Sequence, residues 1–275
     1  MFSFQYTRSH RAAMRRLSTS VFGLACVGCG GLTNAIPVTN RYGAVSIIGR
    51  NAPGNRAAAN ATVILFEAFT TALPSSELQQ SDNCVFASVD TMVSVARGVQ
   101  KAGPLVNLAV GSATYPMAYD DRNFRYATDA AVPFSYAAGD SAQVTIPGDP
   151  AVFPATSIKV RLAEPIIPGT VSVPTGTTPM VFTWNAGRDS SSAIILSLRY
   201  ANPASASFAN EQIYCSLKDD GTHQLPTSAL TAFLASPNDK RRLQITRWRT
   251  RELSVDGRTF LHIASSIDTT LVFQP

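Results

Sequence analysis

The densest group of charged side chains is a basic cluster near the C-terminal end of the sequence. Its members are Lys240, Arg241, Arg242, Arg247, Arg249 and Arg251. Alternation along a β-strand would place Arg247, Arg249 and Arg251 on one face and Trp248 on the other. Such a face would bind anionic groups, for example lipid headgroups, lipopolysaccharide phosphates or acidic polysaccharides. The alternative is a charged strand face that prevents edge-to-edge pairing of sheets.

Residue types that serve hydrolysis or metal chemistry are scarce. The sequence has three histidines and contains no H-E-x-x-H, G-x-S-x-G or phosphate-binding G-x-x-x-x-G-K-[ST] motif. Asp219 and Asp220 stand close to His223, which fits either a cation or acid/base site, or a hairpin turn built on Asp-Gly. Glycoside hydrolysis needs two carboxylates brought together by folding, and no local pattern identifies such a pair. We therefore predict no catalytic residue, no metal and no cofactor.

Two of the four cysteines lie at the end of a short apolar run. Arg15 and Arg16 precede residues 17–28, which are mostly apolar or small, as in a secretory signal peptide. The run is shorter than the roughly 20 apolar residues that span a bilayer. A cysteine after small residues at this place resembles a bacterial lipobox, in which the thiol receives a diacylglycerol. Cys29 is the predicted lipidation site and Cys26 is the alternative, while a signal peptide cleaved without lipidation also remains open.

The N-terminal segments follow from this interpretation. Residues 1–28 are predicted to be the signal peptide, with Met14 as a plausible start and residues 1–13 as an extension, and residues 29–43 to be a tether. The formal net charge of +5 owes much to four arginines within residues 1–28. Without them, 19 basic residues face 18 acidic ones. The net charge therefore gives no reason to expect nucleic-acid binding.

The other two cysteines, Cys84 and Cys215, are 131 residues apart. An exported protein enters a compartment that permits disulfides. Their spacing leaves two alternatives open, which are a disulfide and two separate buried thiols.

The rest of the sequence reads as short strands separated by turn residues. Runs rich in β-branched and aromatic residues are bounded by Gly, Pro or Asp, which is typical of an all-β sandwich. Gly148-Asp149-Pro150 and Phe153-Pro154 mark a break. We predict two immunoglobulin-like β-sandwich domains, at residues 44–154 and 155–275. The second contains one short helix at residues 226–234, where Leu230, Phe233 and Leu234 share a face.

A resemblance supports this architecture. The motifs that carry it are Phe182-Thr183-Trp184, Cys215 followed by the Asp220-Gly221 turn, Leu225-Pro226 before the short helix, and Ile245-Thr246-Arg247. This pattern resembles uncharacterised exported lipoproteins of the myxobacterial type. The resemblance implies two β-sandwich domains on a lipid anchor, and it implies no catalytic residues.

These observations together predict a lipid-anchored protein of the cell envelope with a binding or structural role. It would be periplasmic or anchored to the outer membrane. Its expected partners are the membrane, through the anchor, and an anionic polysaccharide, lipopolysaccharide or another envelope protein. No nucleic-acid partner is expected, because aromatic side chains do not interleave with the basic ones. The alternative is an exported glycan-acting hydrolase with paired carboxylates that the sequence does not identify.

Overall fold

The computed structural model describes residues 40–68, 82–88, 98–172, 174, 176–271 and 273–274. The predicted signal peptide with Cys26 and Cys29, and residues 29–39 of the predicted tether, lie outside these residues. The predicted all-β fold is confirmed, because strands dominate the described part and form sandwich-like layers. None of the helices described there is both long and apolar enough to cross a membrane.

The strands arise where apolar side chains alternate with polar ones, so that each strand has a core face and an outer face. In chain order they are β1 (Asn40–Ala52), β2 (Arg56–Ala68), β3 (Asn83–Ser88), β4 (Val99–Gln100), β5 (Leu105–Val110), β6 (Ala113–Asp120), β7 (Arg125–Ala127), β8 (Phe134–Ala137), β9 (Ser141–Ile146), β10 (Thr156–Arg161), β11 (Val171–Ser172), β12 (Met180–Thr183), β13 (Ala193–Tyr200), β14 (Glu211–Lys218), β15 (Thr222–Leu225), β16 (Arg242–Ser254), β17 (Thr259–Leu271) and β18 (Phe273–Gln274).

Most of these strands belong to one large sheet. Its order is β10-β9-β5-β6-β7-β2-β1-β17-β16-β13-β14-β3, and β4 and β8 also pair with β2. The pairs in this sheet are antiparallel except for β1 and β17, which run parallel at its centre. Two smaller sheets are formed by β11 with β18 and by β12 with β15.

The large sheet does not divide at the predicted domain boundary between residues 154 and 155. Strands from both sides pair directly, namely β1 with β17, β3 with β14, and β9 with β10. The described residues, from Asn40 onward, form one compact unit. The Gly148-Asp149-Pro150 signal instead marks a tight connection, because Gly148 has φ +82° and a bridge joins Asp149 to Phe153. β1 begins at Asn40, so the last four residues of the predicted tether are strand.

The core lies between layers that this sheet makes by folding over itself. β10 packs near β16 and β17, which are distant from it in the strand order. Side chains such as Ile47, Val63 and Ile158 fill the space between the layers. Polar contacts also join them, since the Tyr136 hydroxyl donates to the carbonyl of Ala163 (3.0 Å) and the amide of that residue donates to Ser265 (2.9 Å).

The predicted short helix is present. A 3₁₀ turn at Thr227–Leu230 continues into α1 (Thr231–Ala235). Pro226 precedes the first turn, where its missing N–H costs no hydrogen bond. The apolar face buries Leu230 and Phe233, and the ring of Phe233 packs edge-to-face against Tyr200 at 6.1 Å between centroids.

Candidate functional site

The predicted arginine row lies on β16, but it runs from the core to the surface. Leu243, Ile245 and Arg247 are buried, Arg249 is half-buried and Arg251 is exposed. The guanidinium of Arg247 donates to Asp219 through Nε at 2.7 Å and through Nη2 at 2.9 Å. Its Nη1 donates to the carbonyl of Pro165 (2.7 Å). Arg247 therefore contributes no charge to an exposed face, which corrects the prediction for this residue.

The carboxylate of Asp219 completes a buried charged network. It also accepts a hydrogen bond from Nε1 of Trp184 at 2.9 Å, while Arg247 donates further to the carbonyl of Asn185. Bidentate arginine–carboxylate pairs are geometrically specific, and a buried pair offsets its desolvation only when its remaining hydrogen bonds are satisfied. These hydrogen bonds join the segment that contains Trp184 and Asn185 to β16. We assign the network to structure rather than to ligand binding.

A second arginine pair lies next along β16. Nη2 of Arg249 is 2.6 Å from Oδ2 of Asp189, and Nη1 of Arg161 approaches the same oxygen at 3.1 Å. Burial raises the pKa of Asp189, but hydrogen bonds from Ser191 and the charges of Arg249 and Arg161 outweigh it and leave that pKa lowered. Arg251 donates to the carbonyl of Lys159 at 2.5 Å. The chain therefore covers this face at Arg247 and largely at Arg249, whereas Arg251 is exposed and bound to a backbone carbonyl.

The remaining two arginines of the basic cluster are also engaged by the protein. Arg241 donates from Nε to the carbonyl of Ser236 at 2.8 Å, and its guanidinium lies over the ring of Phe233 at 5.7 Å. Nη1 of Arg242 donates to the carbonyl of Asp239 at 2.8 Å. These contacts stabilise the segment between α1 and β16. The sequence does not predict these hydrogen bonds, because their acceptors are backbone carbonyls, which every residue carries.

A second candidate site joins the predicted cysteines. Cys84 on β3 lies opposite Cys215 on β14, and the two form a disulfide. His223 on β15 places Nε2 3.8 Å from Sγ of Cys84. Burial lowers the pKa of His223, while the charges of Asp82 and Asp220 raise it by less. The sequence predicts a hairpin turn at Asp219–Gly221, but this segment connects β14 of the large sheet to β15, which pairs with β12 instead. It places Asp219 beside Arg247 and His223 beside the disulfide.

A third candidate site is an open groove on the outer face of β1, β2 and β17, with a volume of about 650 Å³. It is lined by Ile48, Gly49, Arg50, Ala58, Asn60, Ala130, Pro133 and Asp268. The floor is made of outward positions of the strands, since Ile48 lies opposite Asn60 and Arg50 opposite Ala58. The loop between β7 and β8 supplies Ala130 and Pro133 as one wall.

The wall of the groove is held by local hydrogen bonds. The amide of Ala61 donates to the hydroxyl of Thr128 (2.9 Å), and the amide of Thr128 donates back to the carbonyl of Ala61 (2.9 Å). Asp129 then accepts from the amide of Ala131 (2.9 Å), which closes a turn. These contacts fix the loop against β2. The sequence carries only a weak signal for this site, namely single polar residues at outward positions of small-residue strands.

The polar groups of the groove have few partners within the chain. Arg50 is exposed, and its guanidinium pairs with no residue in the part of the chain that the structure describes. Oδ1 of Asn60 is buried and accepts no hydrogen bond from the described residues. Asp268 accepts from the hydroxyl of Thr246 at 2.8 Å. The groove therefore offers a cation, an amide and a carboxylate over an apolar floor, which is the usual composition of a small-ligand site.

Buried carboxylates elsewhere in the described ranges are bound by the protein itself. Asp219 pairs with Arg247, Asp189 pairs with Arg249, and Glu164 accepts from the amide of Arg188 (3.1 Å).

Comparison with protein-family models, with curated proteins and with solved structures finds no match to this chain.

Proposed function

We propose that the protein is exported, anchored by lipid to the cell envelope through Cys29 or Cys26, and that it binds an acidic saccharide in the Arg50 groove. The location is supported by the signal-like N-terminus and the lipobox-like cysteines. The disulfide between Cys84 and Cys215 adds support, because such bonds persist mainly in oxidising compartments outside the cytoplasm.

The binding role is carried by one observation: the Arg50 guanidinium has no partner among the described residues, and it lies in a groove that also holds Asn60 and Asp268. A guanidinium matches the geometry of a carboxylate or phosphate and is less strongly hydrated than an ammonium. The arginines of the basic cluster are already engaged by the chain, whereas Arg50 is available. It therefore replaces that cluster as the proposed contact for an anionic partner.

The class of ligand follows from the other lining groups. The carboxylate of Asp268 accepts hydrogen bonds, and the amide nitrogen of Asn60 donates them, as sugar hydroxyls require. Ile48 and Ala58 offer apolar surface to the C–H face of a ring. A hexuronic acid residue carries all three features, an anionic group, hydroxyls and an apolar face. We therefore propose uronate-containing oligosaccharides of the envelope as the ligands.

The test is a calorimetric titration of the protein with an oligouronate and with a neutral oligosaccharide of equal length. The oligouronate should bind and the neutral sugar should bind more weakly. Arg50→Gln should weaken oligouronate binding by about tenfold or more, since a hydrogen bond to a charged group contributes about 1.5–3 kcal/mol. Arg199→Gln is the matched control, because Arg199 is exposed on β13 and does not line the groove.

Equal oligouronate affinity of the Arg50→Gln and Arg199→Gln variants would overturn the assignment of the groove. The recovered oligosaccharide from the same samples distinguishes binding from the hydrolase alternative, which requires two carboxylates flanking the scissile bond. Among the described lining residues of the groove, Asp268 supplies the single carboxylate. We expect mass spectrometry to recover the oligosaccharide uncleaved after prolonged incubation.

A further inference from the structure

We propose that Cys84, Cys215 and His223 form a binding site for a zinc-class divalent cation when the disulfide between the two cysteines is reduced. The site is separate from the Arg50 groove, and the inference does not depend on the proposed function. Cys84 on β3 and Cys215 on β14 lie opposite each other in the large sheet, and His223 approaches them from β15 of the small β12–β15 sheet. Their sulfur and nitrogen atoms all lie within 4.8 Å of one another.

The geometry fits tetrahedral coordination. Zinc binds thiolate sulfur at about 2.3 Å and imidazole nitrogen at about 2.0–2.1 Å, so that two ligands of one tetrahedral ion lie roughly 3.6–3.8 Å apart. Nε2 of His223 is already 3.8 Å from Sγ of Cys84. Reduction breaks the S–S bond, so that the two sulfur atoms can move apart to the separation that two ligands of one tetrahedral ion require. The imidazole therefore needs little rearrangement to become the third ligand.

The surrounding charges favour a cation. The carboxylates of Asp82 and Asp220 both act electrostatically on the imidazole of His223. Lys218 partly compensates Asp82, since its Nζ lies 2.9 Å from Oδ2 of that residue. Two thiolates would neutralise a divalent ion outright. A fourth position stays open for water or a carboxylate oxygen, which is the pattern of a zinc site with three protein ligands.

The chemistry requires a reductant, and a dithiol suffices. Its thiolate attacks Sγ of Cys84, which is half-buried on the outermost strand, and Cys215, which is fully buried, leaves as the thiolate. The second thiol of the reductant then closes its own disulfide and releases Cys84. Two electrons and two protons have passed to the protein. Binding of Zn²⁺ displaces the two thiol protons and leaves two Zn–S bonds and one Zn–N bond.

The experiment uses the full chain carrying Cys26→Ser and Cys29→Ser, which removes the other two thiols. Co²⁺ serves as a spectroscopic substitute for Zn²⁺, because its thiolate complexes absorb through sulfur-to-metal charge transfer. The reduced protein should develop this absorption at one Co²⁺ per chain and lose it when Zn²⁺ is added. The oxidised protein should show none. Zn²⁺ should also raise the thermal unfolding midpoint of the reduced protein, as any ligand of the folded state does.

Two further variants test the ligand set. His223→Asn should weaken Co²⁺ binding by at least about tenfold. Loss of a residue that merely hydrogen-bonds to a metal ligand already costs about that much, and His223 is proposed as a ligand itself. The matched control is His262→Asn, because His262 lies on β17 within 3.4 Å of Glu252 and away from the cysteines. Cys84→Ser should abolish both the charge-transfer band and the Zn²⁺-dependent rise in midpoint.

Absence of the band in the reduced protein would overturn the inference, and so would equal Co²⁺ affinities of His223→Asn and His262→Asn. If reduction alone unfolds the chain, the midpoint measurement decides. In that case Zn²⁺ should restore a cooperative unfolding transition in the reduced protein, and failure to do so would overturn the inference as well.

Discussion

At the scale of single residues, the least exposed ion pairs of the described chain, Arg247–Asp219 and Arg249–Asp189, join separate segments of the fold. Arg247 is fully buried, yet its donors are matched by Asp219 and by backbone carbonyls. A buried ion pair adds little to the free energy of unfolding compared with a hydrophobic pair of the same shape. Removing one partner is costly, because the other charge then remains buried without a countercharge. The pair therefore specifies how the chain around Trp184 docks on β16.

The first prediction concerns this pair. Arg247→Ala should lower the free energy of unfolding by about 3–5 kcal/mol, because Asp219 would be left buried without its countercharge. Arg251→Ala, on the same strand but exposed, should change it little. Urea unfolding followed by circular dichroism measures both. Similar losses in the two variants would contradict the assigned role of Arg247.

Asp189 gives the prediction for pH. The folded-state pKa of Asp189 lies below its ordinary value of 3.8, so the carboxylate contributes stability that is fully present above pH 3.8 and is lost as the pH falls through the lower folded pKa. Asp189→Asn should therefore be less stable than the wild type at neutral pH, and the gap should shrink below about pH 4. Asp239→Asn, which removes an exposed carboxylate, controls for net charge. Urea midpoints measured at several pH values test this, and a gap that stays constant into acid would contradict it.

At the scale of elements, the close approach at Gly148 makes the connection between β9 and β10 tight. A Cβ at this position would lie 2.2 Å from the amide nitrogen of Ala155, and φ is +82°. Only glycine fits a backbone of this kind so close to another chain segment. The connection therefore depends on a single residue type.

Gly148→Ala should accordingly destabilise the fold by at least about 2 kcal/mol, since both the backbone conformation and the contact oppose a side chain. Gly111→Ala separates the two effects, because Gly111 also has a positive φ of +60° but has open space around its Cβ position. That variant should cost about 1 kcal/mol from conformation alone. Chemical unfolding of both proteins tests this, and equal losses would argue against the steric part.

The same elements show how far the sequence predicts the structure. The short helix predicted at residues 226–234 is present as a 3₁₀ turn and α1, because it carries its own local period and a proline at its start. The break at residues 148–154 was predicted as a domain boundary, although it is a turn between paired strands. Gly and Pro indicate that the chain turns, but they do not indicate which strands pair on either side of the turn.

The sites illustrate the same limit. The alternation that places Arg247, Arg249 and Arg251 on one face was predictable from spacing. Their exposure was not, because Asp219 and Asp189 approach from other strands and loops. The sequence leaves the pairing of Cys84 with Cys215 open. It also gives no sign that His223 lies beside them, because that approach comes from β15 of a separate small sheet.

At the scale of the whole molecule, the parallel pair of β1 and β17 unites the N-terminal and C-terminal ends of the described chain in one sheet. β3 is secured to the far end of that sheet by β14 and by the disulfide. The Arg50 groove lies on the outer face of this central region, where β2, β1 and β17 meet. An anchor at the N-terminus would therefore be attached through β1 to the middle of the sheet rather than to its edge.

We propose that the chain is exported and acylated on a cysteine near its N-terminus. Mass spectrometry of the mature N-terminus, from cells grown with and without globomycin, an inhibitor of the lipoprotein signal peptidase, tests it most directly. We expect an acylated N-terminal Cys29, or Cys26, in the membrane fraction and an uncleaved acylated precursor in treated cells. An intact cytosolic chain that retains Met14 and Arg15 and carries no fatty acid would contradict the account.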